Sequence, residues 1–271
     1  MLIKVLGICG SPRRRGNSEF LLQEALAGAK EASAGEVEVE LYRISGKKYV
    51  PCDACFSCKK LGGECRWKDD FQELRDKWLA ADAIIYSVPV YHMSVPGQLK
   101  CFIDRLGNSL YAHHKTALPF QFKTVAAIAQ GGQFFCGQEH AMTDLINHAM
   151  TMGCIPVSGD KEYGYIGAAG CAFGGRGKES LRKNFEEGEE SARVAVQSAR
   201  TIGRHCVEIA LFLLSGAKQH RDVVGAHYEY GTLAKRLGIP SDPIAALQGI
   251  GKGERLVEKL LAERRRDQAR E

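Results

Sequence analysis

Four cysteines within fourteen residues set the tightest limit on this chain. In YVPCDACFSCKKLGGECR, residues 49–66, Cys52, Cys55, Cys58 and Cys65 are spaced C-x2-C-x2-C-x6-C. Three thiolates two residues apart can wrap one face of a compact metal centre, and the fourth, across the Gly62-Gly63 bend, can close it. The tight triple spacing suits a cubane iron–sulfur cluster. A structural zinc site usually draws its ligands as two separated pairs. Four unrelated buried cysteines are the remaining reading. It must explain why four of ten cysteines fall in one short, Gly-rich, polar stretch.

With 271 residues, the chain suits one large α/β domain with an extension, or two small domains. A hydrophobic fraction of 45 % against 25 % charged residues leaves enough apolar side chain for a normal core. The net charge of +5 is mild, and no aromatic-basic ribbon or finger pattern appears, so nucleic acid is not an expected partner. Met1 leads straight into a strand-like run, with no secretory pattern. The longest apolar stretch, residues 207–214, is too short to span a bilayer. Cysteine-rich composition without an export signal points to thiols and ligands rather than disulfides, and the expected location is the cytoplasm.

Residues 3–9, IKVLGIC, read as a buried parallel strand. The loop GSPRRRGNS follows, and a helix is expected from Ser18 to Ala32, capped by Asn17 or Ser18, with Phe20, Leu21, Ala25, Leu26 and Ala29 on one apolar face. Strand, tight loop and helix N-terminus together make an anion site, where backbone N–H groups converge and the helix dipole favours a phosphate. Serine and asparagine add donors, and an arginine can neutralise charge. Two better-known loops are excluded. A Walker A loop needs four residues between its glycines and then Gly-Lys-Ser/Thr, whereas here five intervene and Asn17 stands where the lysine belongs. The dinucleotide fingerprint G-x-G-x-x-G is absent as well.

Further along, residues 36–44 alternate like a strand, residues 82–90 and 122–129 read as buried strands, and a fifth strand is expected near 155–158. Helices are expected between them at 69–81, 97–108 and 137–152. The alternation implies a doubly wound five-stranded parallel α/β sheet. Ligands bind beyond the C-terminal ends of such strands. The loop after the third strand, with Pro89, Val90, Tyr91, His92, Met93 and Ser94, suits the edge of a planar heterocycle. After the fourth, Gln130, Gly131 and Gly132 offer bare backbone for close approach. Residues 164–177 are too Gly-rich for a regular element, which leaves a surface loop, a lid or a docking surface. A long helix at 187–214 is expected to bury Ala192, Val196, Ala199, Ile202, Val207 and Leu211. Beyond it, residues 216–271 read as a helical extension with breaks at Pro240 and Pro243 and a terminal amphipathic helix. The other six cysteines look structural. Among them Cys171 is the one to test for reactivity, although a plain exposed thiol is expected there.

Three segments together resemble the iron–sulfur flavoproteins of the flavodoxin-like superfamily, which also holds the NAD(P)H-dependent FMN reductases. They are GSPRRRGNS after the first strand, the four-cysteine motif after the second, and PVYHMSVPGQLKCFIDR after the third. The resemblance covers residues 1–215, which it makes a flavodoxin-like FMN-binding domain with the cysteine loop inserted at 49–66. Residues 216–271 depart from it. It implies one FMN and one [4Fe–4S] cluster per subunit. Cys52, Cys55, Cys58 and Cys65 match the cluster ligands. Ser11, Arg13, Gly16, Asn17 and Ser18 match the FMN phosphate loop. Residues 89–94 match the loop beside the isoalloxazine ring, and residues 130–132 the third loop. Homodimers or dimers of dimers are typical of such proteins.

The expected function is electron transfer from a ferredoxin-like one-electron donor, through the cluster and FMN, to oxygen, peroxide, a quinone or another small molecule. No side chain is assigned as a catalytic acid or base. A plain NAD(P)H-dependent FMN or quinone reductase is the first alternative, and a redox sensor or a subunit of a larger electron-transfer complex the second.

Overall fold

A computed structural model describes residues 1–32, 36–114, 118–172, 177, 179–240 and 256–268. Its centre is a parallel sheet in the order β2-β1-β3-β4-β5. The strands are β1 (Ile3–Cys9), β2 (Val37–Arg43), β3 (Ala83–Pro89), β4 (Thr124–Gly131) and β5 (Ile155–Pro156). β1 pairs with β2 from Ile3↔Val37 to Cys9↔Arg43 and with β3 from Val5↔Ala83 to Cys9↔Ser87. The order reverses between β1 and β3, which is where open α/β sheets carry their ligands.

The fifth position in the sheet is filled in two pieces. β5 pairs with β4 only at Thr124↔Ile155 and Val125↔Pro156. The chain then leaves the sheet and returns as β6 (Ala168–Cys171), parallel to β4 from Ile128↔Ala168 to Gly131↔Cys171. Residues 164–177 therefore contain a strand, against the expectation of no regular element. The glycines that argued against it are there because the strand lies too close to its neighbours for a side chain. A Cβ on Gly167 would stand 2.3 Å from the Ala127 carbonyl oxygen, and one on Gly170 would stand 2.7 Å from Leu21 Cδ1. Cys171, expected as an exposed loop thiol, is buried in β6.

Helices cover both faces. On one lie α1 (Asn17–Glu31) and, from later in the chain, a 30-residue helix at Glu190–Gln219. On the other lie α2 (Phe71–Ala80), α3 (Gly97–His114) and α4 (Gln138–Thr151). Each expected apolar face is turned inward. Phe20, Leu21, Ala25, Leu26 and Ala29 of α1 are buried, as are Leu99, Phe102, Ile103 and Leu106 of α3. A short α5 (Ser180–Glu186) precedes the 30-residue helix, which becomes α6. Of its expected stripe, Leu211 is only partly buried and the rest are fully so.

The remaining described α-helices are α7 (Arg221–Ala226), α8 (Gly231–Leu237) and α9 (Leu256–Gln268). The boundary expected between residues 215 and 216 lies inside α6. Val224, Leu233, Ala234 and Ile239 join the core around α1 and α6. Arg236 reaches back to Asp82 just before β3, with Nε–Oδ1 at 2.7 Å. Pro243 lies outside the described residues. No described helix is long and apolar enough to cross a membrane.

Candidate functional site

At the C-terminal ends of β1, β3, β4 and β6 the loops enclose a cleft of about 1020 Å³. Ser11, Arg13, Gly16, Asn17, Ser18, Pro89, Val90, Tyr91, Gln130, Gly131 and Gly132 all line it. The loop after β1 is built for an anion. Gly16 is extended, at φ −96° and ψ 179°, and the first turn of α1 starts at Asn17 with no side-chain cap. Its leading N–H groups have no intrahelical acceptor, and Gly16, Asn17 and Ser18 line the cleft. The acidic residue of that turn does not oppose an anion, because it is already committed. Glu19 accepts from the Arg15 N–H at 2.9 Å and pairs with Arg43 at 2.9 Å. Burial pushes the Glu19 carboxyl up, but these donors outweigh it and hold the group below the usual carboxylate range. The exposed Arg13 makes no ion pair among the described residues.

Asn17 lines the cleft but does not cap the helix. It is the first helical residue, and its amide faces the start of α5. Nδ2 donates to Ser180 Oγ at 3.1 Å and Oδ1 accepts from the Leu181 N–H at 3.1 Å. The cap expected at Asn17 or Ser18 falls instead on Gly16.

The loop after β3 is a two-residue hairpin. Tyr91 and Ser94 exchange both backbone hydrogen bonds, at 2.9 and 3.0 Å. His92 and Met93 between them both sit in the left-handed region, at φ 45° and 65°. Such a turn favours Asn-Gly, so histidine and methionine here carry strain. The hairpin is held from outside by Ser94 Oγ, which donates to Asp144 of α4, and by Gly137, where a Cβ would meet Met93 Cα at 2.7 Å. Pro89, Val90 and Tyr91 reach the cleft. His92, Met93 and Ser94 stand at the tip and do not line it.

Sequence reasoning missed Gln133, Phe134, Cys136, Ala172 and Gly177, which complete the wall. Ala172 follows β6 and its N–H donates to the Gly131 carbonyl at 3.2 Å. The run of small apolar residues IGAAGCA was the available signal. A second cavity of about 730 Å³ lies at the opposite, N-terminal edge of the sheet, beside Asp82, Lys123 and Arg236. It holds none of the expected site residues; Arg236 is bonded to Asp82 there, and Lys123 to the Leu79 carbonyl.

The cysteine loop is closed at its base. Lys48 N–H donates to Asp70 at 2.7 Å, Asp70 N–H to the Lys48 carbonyl at 3.1 Å, and Val50 N–H to Asp69 at 2.8 Å. Beyond this clamp the backbone turns sharply, with Ala54, Phe56, Gly62 and Gly63 all at positive φ. Cys52, Cys55, Cys58 and Cys65 then line one small cavity of about 30 Å³, closed by Arg105, Asn108 and Ser109 of α3. Asn108 Nδ2 donates to Cys52 Sγ at 3.4 Å. Burial, and after it the nearby sulfurs of Cys55, Cys65 and Cys52, push the Cys58 thiol up. Metal binding to such a set releases protons.

The four cysteines line one shared cavity, the arrangement a single thiolate-bound centre needs. A cubane cluster takes four such thiolates, each reaching a different iron.

Residues 3–185 match the NADPH-dependent FMN reductase family. An iron–sulfur flavoprotein of Archaeoglobus fulgidus is 37 % identical over 193 residues, covering 71 % of this chain and 93 % of that one. Another, of Methanocaldococcus jannaschii, is 36 % identical over 192 residues, covering 71 % and 91 %. The chain belongs to the iron–sulfur flavoproteins of the NADPH-dependent FMN reductase family. Membership makes it an FMN-dependent oxidoreductase with FMN and an iron–sulfur cluster as cofactors. Among solved structures, RosB with its bound 8-demethyl-8-formylriboflavin-5'-phosphate has a TM-score of 0.57 at 15 % identity, covering 79 % of this chain and 81 % of that one. That likeness concerns the fold alone.

Proposed function

We propose that this iron–sulfur flavoprotein passes electrons from a ferredoxin-like one-electron donor, through a [4Fe–4S] cluster, to FMN and on to oxygen, peroxide, a quinone or another small molecule. The observation that carries the reading is the pairing of two features in one chain: four cysteines around a single cavity, and a cleft at the switch point of the sheet lined by the loop and helix start after β1. When bound, the cluster supplies single-electron steps and the flavin supplies one- or two-electron steps.

The chain's own residues then hold and shield. Cys52, Cys55, Cys58 and Cys65 are the iron ligands. The N–H groups from Gly16 to Ser18, with Ser11 Oγ, bind the phosphate, and Arg13 neutralises it. Pro89, Val90 and Tyr91 border one edge of the ring system, and Gln130, Gly131 and Gly132 the other. Tyr91 and His92 are the nearest groups able to deliver a proton. Neither is needed as an obligatory acid or base.

Anaerobically purified protein is expected to show flavin absorbance, a broad cluster band and about four irons per chain. One zinc and almost no iron would end this reading. A second reading, direct reduction by NAD(P)H, is favoured by the description of the matched family. Stopped-flow reduction separates the two: faster reduction by reduced ferredoxin supports the first, and faster reduction by the nucleotide supports the second. Light scattering tests the dimer or dimer of dimers that the family resemblance suggests.

A further inference from the structure

Among the side chains around the cysteine cavity, Arg105 stands apart. It is 2 % exposed, on the face of α3 that closes the cavity. One arm of its guanidinium is fully committed. Nη1 pairs with Asp69 Oδ2 at 2.5 Å and donates to the Val50 carbonyl at 3.2 Å. The plane stacks on Phe71, with Cζ 4.3 Å from the ring centroid. On the other arm no carbonyl or carboxylate of the described residues answers. Nε and Nη2 are buried and have no partner in hydrogen-bond geometry among the described residues, although the guanidinium interacts with the Cys65 sulfur. Buried donors left unpaired are costly, the more so on a charged group. A charged arginine in that state beside four cysteines marks a place where an anionic partner belongs.

We propose that Arg105 is a positioning residue for the thiolate-bound centre, donating from Nε and Nη2 to the Cys65 thiolate and the anionic group the four cysteines hold. Asp69 fixes the fork from behind. Its carboxylate accepts from Arg105, from the Val50 N–H at 2.8 Å and from the Phe71 N–H at 3.2 Å. The aim of Arg105 and the closure of the cysteine loop therefore share one carboxylate. A buried cation favours the more negative, reduced form of a neighbouring centre, so Arg105 raises its reduction potential. The geometry also explains why arginine is used here: a lysine could keep the charge but not pair with Asp69, Val50 and the sulfur side at once.

The inference rests on the cysteines holding the cluster, and the test keeps the two apart. Wild-type protein without iron would remove the cluster reading and this inference with it. With iron present, Arg105→Lys is compared with Arg105→Met combined with Asp69→Asn, which leaves no buried charge unpaired. The expected result is unchanged FMN content with a lower midpoint potential of the iron centre in both, lower still in the double variant. Iron loss from the double variant to a chelator should be roughly 10-fold faster. Unchanged potential and unchanged iron loss would overturn the role of Arg105 and leave the cluster reading standing. Should the double variant not fold, protein labelled with nitrogen-15 arginine answers instead. Pulsed EPR of the reduced protein should show a coupled arginine nitrogen that disappears in Arg105→Lys, and its absence in the unsubstituted protein overturns the proposal.

Discussion

His92 and Met93 show how a residue can matter to a site without lining it. Both are exposed and both occupy the left-handed region at the tip of the hairpin after β3. Their strain is sustained by the Tyr91–Ser94 backbone pair below them and the contact with Gly137 beside them. His92→Ala therefore trims a side chain at the mouth of the cleft and leaves the wall intact. Weaker FMN binding with turnover retained is expected, read by fluorescence titration and by rate at saturating flavin. Abolished turnover with FMN still bound would make His92 an obligatory proton donor. The buried cysteines behave differently. Burial pushes Cys154 and Cys206 up to about 12 and Cys9 up to about 11, so they remain thiols and act as small apolar side chains.

The crossing of α1 and α6 holds the helix that follows the β1 loop. Glycines on both helices let the backbones meet. A Cβ at Gly203 would stand 1.9 Å from the Ala25 carbonyl oxygen, and one at Gly28 would stand 2.1 Å from that of Arg200. Ion pairs from Arg200 to Glu24 and Glu31 flank the crossing, but they are partly exposed and add little. Gly203→Ala must push backbone apart, and the expected cost is about 3 kcal/mol, near the upper end for overpacking. Because α1 carries the leading N–H groups of the cleft, flavin affinity should fall along with the denaturation midpoint. A variant with lower stability but unchanged flavin affinity would show that α1 keeps its place.

Between about pH 4 and 6.5 one buried ring should contribute to the pH dependence of the whole molecule's stability. His148 sits against Trp78 and Tyr86 with Nε2 unpartnered among the described residues, and burial pushes its pKa down to about 4. The folded state resists protonation that the unfolded chain accepts near 6.5. Below that value the unfolded chain binds more protons, so stability falls as pH drops from about 6.5 to about 4. In His148→Leu that slope should flatten in urea titrations at pH 4.5 and 7, by on the order of 2 kcal/mol. An unchanged slope would place the acid sensitivity elsewhere. The C-terminal segment also belongs to the whole. Ending the chain at 215 strips Val224, Leu233, Ala234 and Ile239 from the core and removes the Arg236–Asp82 pair. That is expected to cost on the order of 5 kcal/mol. Ending it at 255 removes only α9, whose described side chains are exposed, and should leave the melting temperature nearly unchanged. Equal melting temperatures for the two truncations would return residues 216–240 to the standing of an appendage.

Local pattern was enough for much of this protein. Apolar runs of seven or eight residues, Gly-rich loops at their ends and inward stripes on the helices specified a parallel sheet with ligand loops at one edge. Cysteine spacing marked a candidate cluster loop, whose four cysteines the fold brings around one cavity. What only the tertiary structure decided depends on groups far apart in sequence. β6 is a strand because β4, α1 and α5 crowd it, so its glycines mean closeness where sequence alone suggested looseness. Residues 216–240 are core because Val224, Leu233 and Ile239 find apolar partners on α1 and α6. Arg105 faces the sulfurs because Asp69, 36 residues away, grips its other arm. Short-range periodicity records what each segment prefers by itself, whereas burial and pairing are settled only when the segments meet.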